Sequence, residues 1–197
     1  MNPQQRITPE NITDIQQHEV FVFGSNKSGI HGKGAAKTAM KWGAVYGKGH
    51  GMMGQTYGIP TVDFGIRKSL SVEEIKPYVD DFLEYAKSRQ DLTFLVTAIG
   101  TGLAGIQAKD IAPLFAQAVD IPNICLPQDF WWWIEPIVIG TVIEFTEDYG
   151  WEIKGVQAEV TNCEKGQVYL GYLTIPQQGY WKNIRSGRYK IISVPEN

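Results

Sequence analysis

Apolar positions in this chain follow two rhythms, and the change between them divides it. Glu19-Val20-Phe21-Val22-Phe23 is a short β-branched and aromatic run stopped by Gly24, which predicts a buried strand. Gly34 to Trp42 is alanine-rich and predicts a helix closed by Gly43. A glycine-heavy loop from Gly47 leads to a second strand, Thr56–Ile59. Ser71 and Glu74 have capping-box spacing ahead of Ile75, Val79, Phe82, Leu83 and Ala86, which recur on one helical face. Leu92–Ile99 is a continuous apolar run, as in strands covered on both faces. Asp110 is expected to cap a helix carrying Ile111, Leu114, Phe115 and Ala118, with Pro113 in its first turn. Pro122–Pro127 holds one more short strand.

Strands alternating with helices imply an α/β unit over residues 1–130, with a largely parallel sheet flanked by helices and ligand sites at the strand carboxyl ends. Beyond Phe130 the pattern is of strands alone. Ile137–Phe145, Trp151–Thr161, Gln167–Ile175 and Arg188–Val194 are separated by turn-forming stretches. Residues 131–197 are therefore expected to form a small antiparallel β-rich part, a barrel or a second sheet. The aromatic run Phe130-Trp131-Trp132-Trp133 lies at the junction and is expected to join the two parts.

Composition narrows the class. The 197 residues carry a net charge of −3, which gives no general reason to expect nucleic acid or a membrane surface as partner. No apolar run approaches the roughly 20 residues that cross a bilayer, and the polar start, Met1–Ile7, lacks a leader pattern. Cys125 and Cys163 read as packing residues of a cytoplasmic protein in a reducing compartment. Charge is unevenly spread, however. No Asp or Glu occurs between Val20 and Val62, whereas Lys27, Lys33, Lys37, Lys41 and Lys48 all do. Lys33, Lys37 and Lys41 repeat at helical spacing and suit a solvated face; the acid-free stretch as a whole points to an anionic ligand.

That stretch contains "FVFGSNKSGIHGKGAAKTA", a strand entering a glycine loop and then a helix. Such a loop holds phosphate with backbone N–H groups, and glycine lets the backbone approach closely. The P-loop pattern fails because its glycines would fall on His31 and Ala36. The dinucleotide pattern starting at Gly32 and Gly34 fails at Lys37, and no acid follows about 20 residues on to take a ribose hydroxyl.

Gly24-Ser25-Asn26, followed by Gly32-Lys33-Gly34-Ala35-Ala36, resembles the first ligand loop of the macrodomain family, where an Asn precedes a glycine-rich turn and an Ala-rich helix. Farther on, "TAIGTGLAGI" (Thr97 to Ile106) resembles the family's second, phosphate-enclosing loop, and "GMMGQTYGIPT" resembles its intervening strand entry. The three features lie in order across residues 18–127 and imply a divergent macrodomain-like branch. The resemblance implies ADP-ribose, or an ADP-ribosylated target, as the ligand, with no cofactor or metal required. It implies that Asn26 contacts the distal ribose and that the loops around Gly32–Ala35 and Gly100–Ala104 close on the diphosphate. It further implies a Thr101 hydroxyl on a phosphate oxygen and Leu103 against a ribose. The family's early adenine-binding acid has no fixed counterpart; Asp14 and Glu19 are the choices.

Hydrolysis of an ADP-ribosyl linkage needs a positioned base or held water. His31 is the candidate base, with Lys33 beside it as electrostatic clamp or nucleophile, and His50 is expected to face the same cleft. Two classes of function follow. One is an ADP-ribose-type binding module with or without hydrolase activity. The other is a non-catalytic interaction protein, a phage or mobile-element accessory factor, with a vestigial pocket and a partner-binding β tail.

Overall fold

The computed structural model describes residues 6–64, 68–134, 140–145, 154–164, 167–172, 179–182 and 189–193. Parts of the expected runs at 137–139, 151–153, 173–175, 188 and 194, the first five residues, and the side chains of Trp132 and Cys163 lie outside the described residues. The chain divides into two compact units, Met1–Ile134 and Glu135–Asn197.

The first unit is a five-stranded sheet covered by helices. Its strands are β1 (Glu19–Asn26), β2 (Gly51–Met53), β3 (Thr56–Val62), β4 (Thr93–Val96) and β5 (Ile124–Cys125), in the order β2-β3-β1-β4-β5. Four strands are parallel and β2 alone is antiparallel, paired with β3 as a hairpin. The helices are α1 (Gly34–Ala39), α2 (Val72–Ser88), α3 (Ala108–Ile111) and α4 (Gln128–Ile134).

Alternation along the central strands explains the layering. Val20 and Val22 of β1 and Phe94 and Val96 of β4 point to one face, where Ile75, Val79, Phe82, Leu83 and Ala86 of α2 cover them. Phe21, Phe23 and Leu95 point to the other face, against Ala36 and Ala39 of α1 and Met53. Each fully buried phenylalanine contributes about 1.5–3 kcal/mol of transfer free energy. The Ser71–Glu74 capping box is present: Glu74 N donates to Ser71 Oγ at 3.2 Å, and Ser71 N donates to Glu74 Oε2 at 2.8 Å.

Three expectations are corrected. β1 does not stop at Gly24 but runs to Asn26, because β3 pairs with it as far as Val62. The strand expected over Leu92–Ile99 is confined to Thr93–Val96, and Thr97–Ile99 turn away from the sheet. Asp110 is not a cap: Gln107 precedes α3, which holds four residues and passes into a 3-10 helix, Ala112–Asp120, at Pro113.

Phe130 and Trp131 pack within the first unit's own core, Phe130 against Phe115. Arg6 closes this end of the unit. Its buried guanidinium donates through Nη1 to the carbonyls of Ala118, Ile121 and Ile124 at 2.8, 2.7 and 3.2 Å. Nη2 donates to Val119 O at 3.0 Å, and the guanidinium lies 4.9 Å from the Trp131 ring centre. The second unit is an antiparallel sheet of β6 (Val142–Phe145), β7 (Gln157–Glu164), β8 (Gln167–Tyr172), β9 (Gly179–Lys182) and β10 (Tyr189–Ser193), in the order β10-β6-β7-β8-β9. No helix among the described residues is long and apolar enough to cross a membrane.

His50 does not face the ligand loops. It stands edge-on to Tyr57 and Tyr78, with Nε2 3.8 Å from Asp81 Oδ2. Burial holds its imidazole below the ordinary value; Lys48 adds to this and Asp81 opposes it without prevailing. The unfolded state therefore binds the proton better, so stability is lost as pH falls below about 6.5. We expect the thermal midpoint to drop between about pH 6.5 and 5, and His50→Phe to flatten that part of the profile, measured by thermal denaturation across pH.

Candidate functional site

Strand lengths bring the two glycine loops together. β4 ends at Val96 opposite Val22, four residues before β1 ends at Asn26. Thr97 N and Oγ1 both donate to Val22 O, at 2.9 and 3.0 Å, and turn the chain across the end of the sheet. The second loop thereby lies beside β1: a Cβ on Gly24 would sit 3.6 Å from Gly100 N and 3.5 Å from Thr61 Oγ1. Gly100 has φ +79°, and a side chain there would press on Ile111 and Ile106. A cleft of about 510 Å3 opens between the two loops at the carboxyl ends of β1, β3 and β4. That volume is in the range of roughly 300–1,000 Å3 typical of small-ligand sites.

The first loop is held from behind by the segment 45–50. Gly49 passes so close beneath β1 that a Cβ on it would lie 2.0 Å from Asn26 O. Ser25 Oγ donates to Gly49 O, and Gly47 N donates to Gly29 O at 2.9 Å. His31 is buried, with Nε2 3.1 Å from both Val45 O and Lys48 O. Both neighbours only accept, so Nε2 carries the hydrogen and donates. Asn26 closes its own loop: Nδ2 donates to Ile30 O at 2.7 Å, and Ile30 N donates to Oδ1 at 3.0 Å.

Donors and acceptors on the cleft wall are used unequally. In the second loop five carbonyls on the wall are taken. Thr97 O accepts from Ile99 N, Ala98 O from Thr101 N and Oγ1, Gly100 O from Ile106 N, and Gly102 O from Gly105 N. Ala104 O accepts from Ser69 Oγ at 2.7 Å. The amides of Gly100, Gly102, Leu103 and Ala104, by contrast, donate to no protein group among the described residues. The same holds for the amides of Gly32 to Ala36, where α1 begins without a side-chain cap and without an acid in its first turn. Lys33 is the one formally charged side chain among the described lining residues. Such a wall offers hydrogens and positive charge, and suits an anion.

The sequence-predicted ligand residues Gly24, Ser25, Asn26, Gly32, Lys33, Gly34 and Ala35 line this cleft together with Gly100, Gly102, Leu103 and Ala104. Two do not. His31 is absent from the wall, because its ring packs edge-on against Phe23 and its Nε2 is engaged with segment 45–50. Thr101 is also absent, and its hydroxyl donates to Ala98 O at 2.9 Å. Sequence reasoning missed Ile30, Thr61 and Val62, which complete the floor. The apolar-to-polar step at the end of β3 was the available signal for the last two. Among the described residues no group of His, Cys, Asp and Glu is arranged to hold a metal. Comparison with protein-family models, with curated proteins and with solved structures returns no match for this chain.

The placement of His31 makes it a strut for the ligand loop. We expect His31→Ala to lower the unfolding free energy by about 1–3 kcal/mol, since the buried ring's packing against Phe23 and its hydrogen bond to segment 45–50 are both lost, as read from denaturant midpoints at constant slope.

Proposed function

We propose that the first unit is a divergent macrodomain-like module that binds ADP-ribose or a related NAD-derived diphosphate nucleotide. The observation that carries this reading is the pair of carboxylate-free glycine loops whose unengaged amides share one cleft at the strand carboxyl ends. A diphosphate between Gly32–Ala36 and Gly100–Ala104 would receive hydrogens from both sides, with the Lys33 ammonium as counter-charge. The open α/β sheet supports the placement, since ligands of such sheets lie at the carboxyl ends of the strands.

Recognition is the function the wall supports best. His31, the candidate base, is engaged elsewhere, and Lys33 is suited to pairing with phosphate. Asn26 lines the cleft while its amide clamps the loop, so in this reading its contribution to binding is to hold the Gly32–Ala36 segment in place.

Gly32 and Gly102 provide the test, because a Cβ on either meets nothing within 4 Å and neither has a left-handed backbone. Gly32→Asp and Gly102→Asp should therefore fold normally while placing a carboxylate on each side of the bound diphosphate. Like charges about 5 Å apart at an effective dielectric of about 20 cost about 3 kcal/mol. Calorimetric titration with ADP-ribose, set against AMP, NAD and phosphate, should show micromolar ADP-ribose binding that each variant weakens at least about tenfold with an unchanged thermal midpoint. No heat with any of the four ligands would overturn the reading, as would a variant at either loop that binds normally.

A further inference from the structure

We propose that the cleft recognises the diphosphate of its ligand and does not read the nucleobase. This rests on the nucleotide-binding reading above. A site discriminates strongly between hydrogen-bonding ligands only when it holds polar groups that would be left unpaired by the wrong one.

Here the hydroxyl and amide side chains of the wall already have partners in the protein, and the Lys33 ammonium is the counter-charge to phosphate. Ser25 Oγ donates to Gly49 O, Thr61 Oγ1 to Ser25 O at 3.3 Å, and Thr97 Oγ1 to Val22 O at 3.0 Å. Both ends of the Asn26 amide are bonded to Ile30. Along β3, Thr61 O accepts from Leu70 N at 2.9 Å and Val62 O from Lys27 N at 3.0 Å. With the carbonyls of Thr97, Ala98, Gly100, Gly102 and Ala104 also engaged, the exocyclic amine of a purine or of cytosine meets no carboxylate on the described wall, and most of the carbonyls that could accept its hydrogen already hold a donor.

What remains for a base is apolar surface. Leu103 is 81% exposed at the rim, and Ile30, Val62 and Ile99 line the interior. These side chains cover the face of any flat ring without distinguishing its edge. The amides, in turn, match oxygen acceptors, which phosphate supplies in every such nucleotide. Affinity therefore follows the part of the ligand that all nucleoside diphosphate riboses share.

The test is a calorimetric comparison of ADP-ribose, inosine diphosphate ribose, cytidine diphosphate ribose and ribose 5-phosphate on the full chain. Inosine replaces the amine with a carbonyl, and cytidine changes ring size. Dissociation constants for the three diphosphate riboses within about threefold of one another, with ribose 5-phosphate at least about tenfold weaker, are the expected result. ADP-ribose binding more than about tenfold tighter than the inosine compound would overturn base indifference while leaving the nucleotide reading intact. Failure of all four to bind would overturn both.

Discussion

The ligand loop depends on backbone lying directly on backbone. Gly49 runs under Asn26 at a distance that leaves no room for a side chain, and Ser25 Oγ, the Asn26 amide and His31 Nε2 are all bonded to the scaffold. In the proposed reading, this arrangement settles a conflict that any phosphate-gripping loop faces. Amides that are to meet a ligand must be left unbonded by the protein, which makes the loop intrinsically unstable. Here side-chain and carbonyl hydrogen bonds supply the rigidity, so the amides need not. Preorganisation of this kind lowers the ordering cost of binding.

The second loop obtains its position from the sheet. β1 outlasts β4 by four residues, and the chain leaving β4 is drawn across its end by two hydrogen bonds to Val22 O. Burial of both faces of β1 and β4 makes that register hard to change, since a slip of one residue would exchange Val22 with Phe23 between differently shaped layers. Core packing and cleft geometry are thus consequences of the same alternation.

Local features were legible in the sequence. The β-branched run at Val20–Phe23, the capping box at Ser71 and the apolar face of α2 follow from periodicity, and the acid-free glycine loops could be paired by their order along the chain. Features decided by distant partners were not. β2 has three residues, one of them glycine, and is a strand only because β3 lies beside it. Gly24 breaks a strand on propensity, yet β3 on the far side carries β1 past it. His31 reads as a catalytic loop histidine until the carbonyls of Val45 and Lys48, fourteen and seventeen positions away, are seen to hold its Nε2. Thr101 reads as a phosphate donor until its hydroxyl is found closing its own turn.

Arg6 has a consequence for the order in which this chain becomes native. Its guanidinium holds carbonyls more than 110 positions away, and its own carbonyl accepts the Trp131 indole hydrogen across 125 positions. Contacts of such separation form late, because chain-closure entropy opposes them until both ends are present. During synthesis the first unit therefore cannot close until α4 has left the ribosome. Until then the cleft-bearing sheet is translated but unsealed at its β5 edge, where residues 6–8 must return to pair with Leu126.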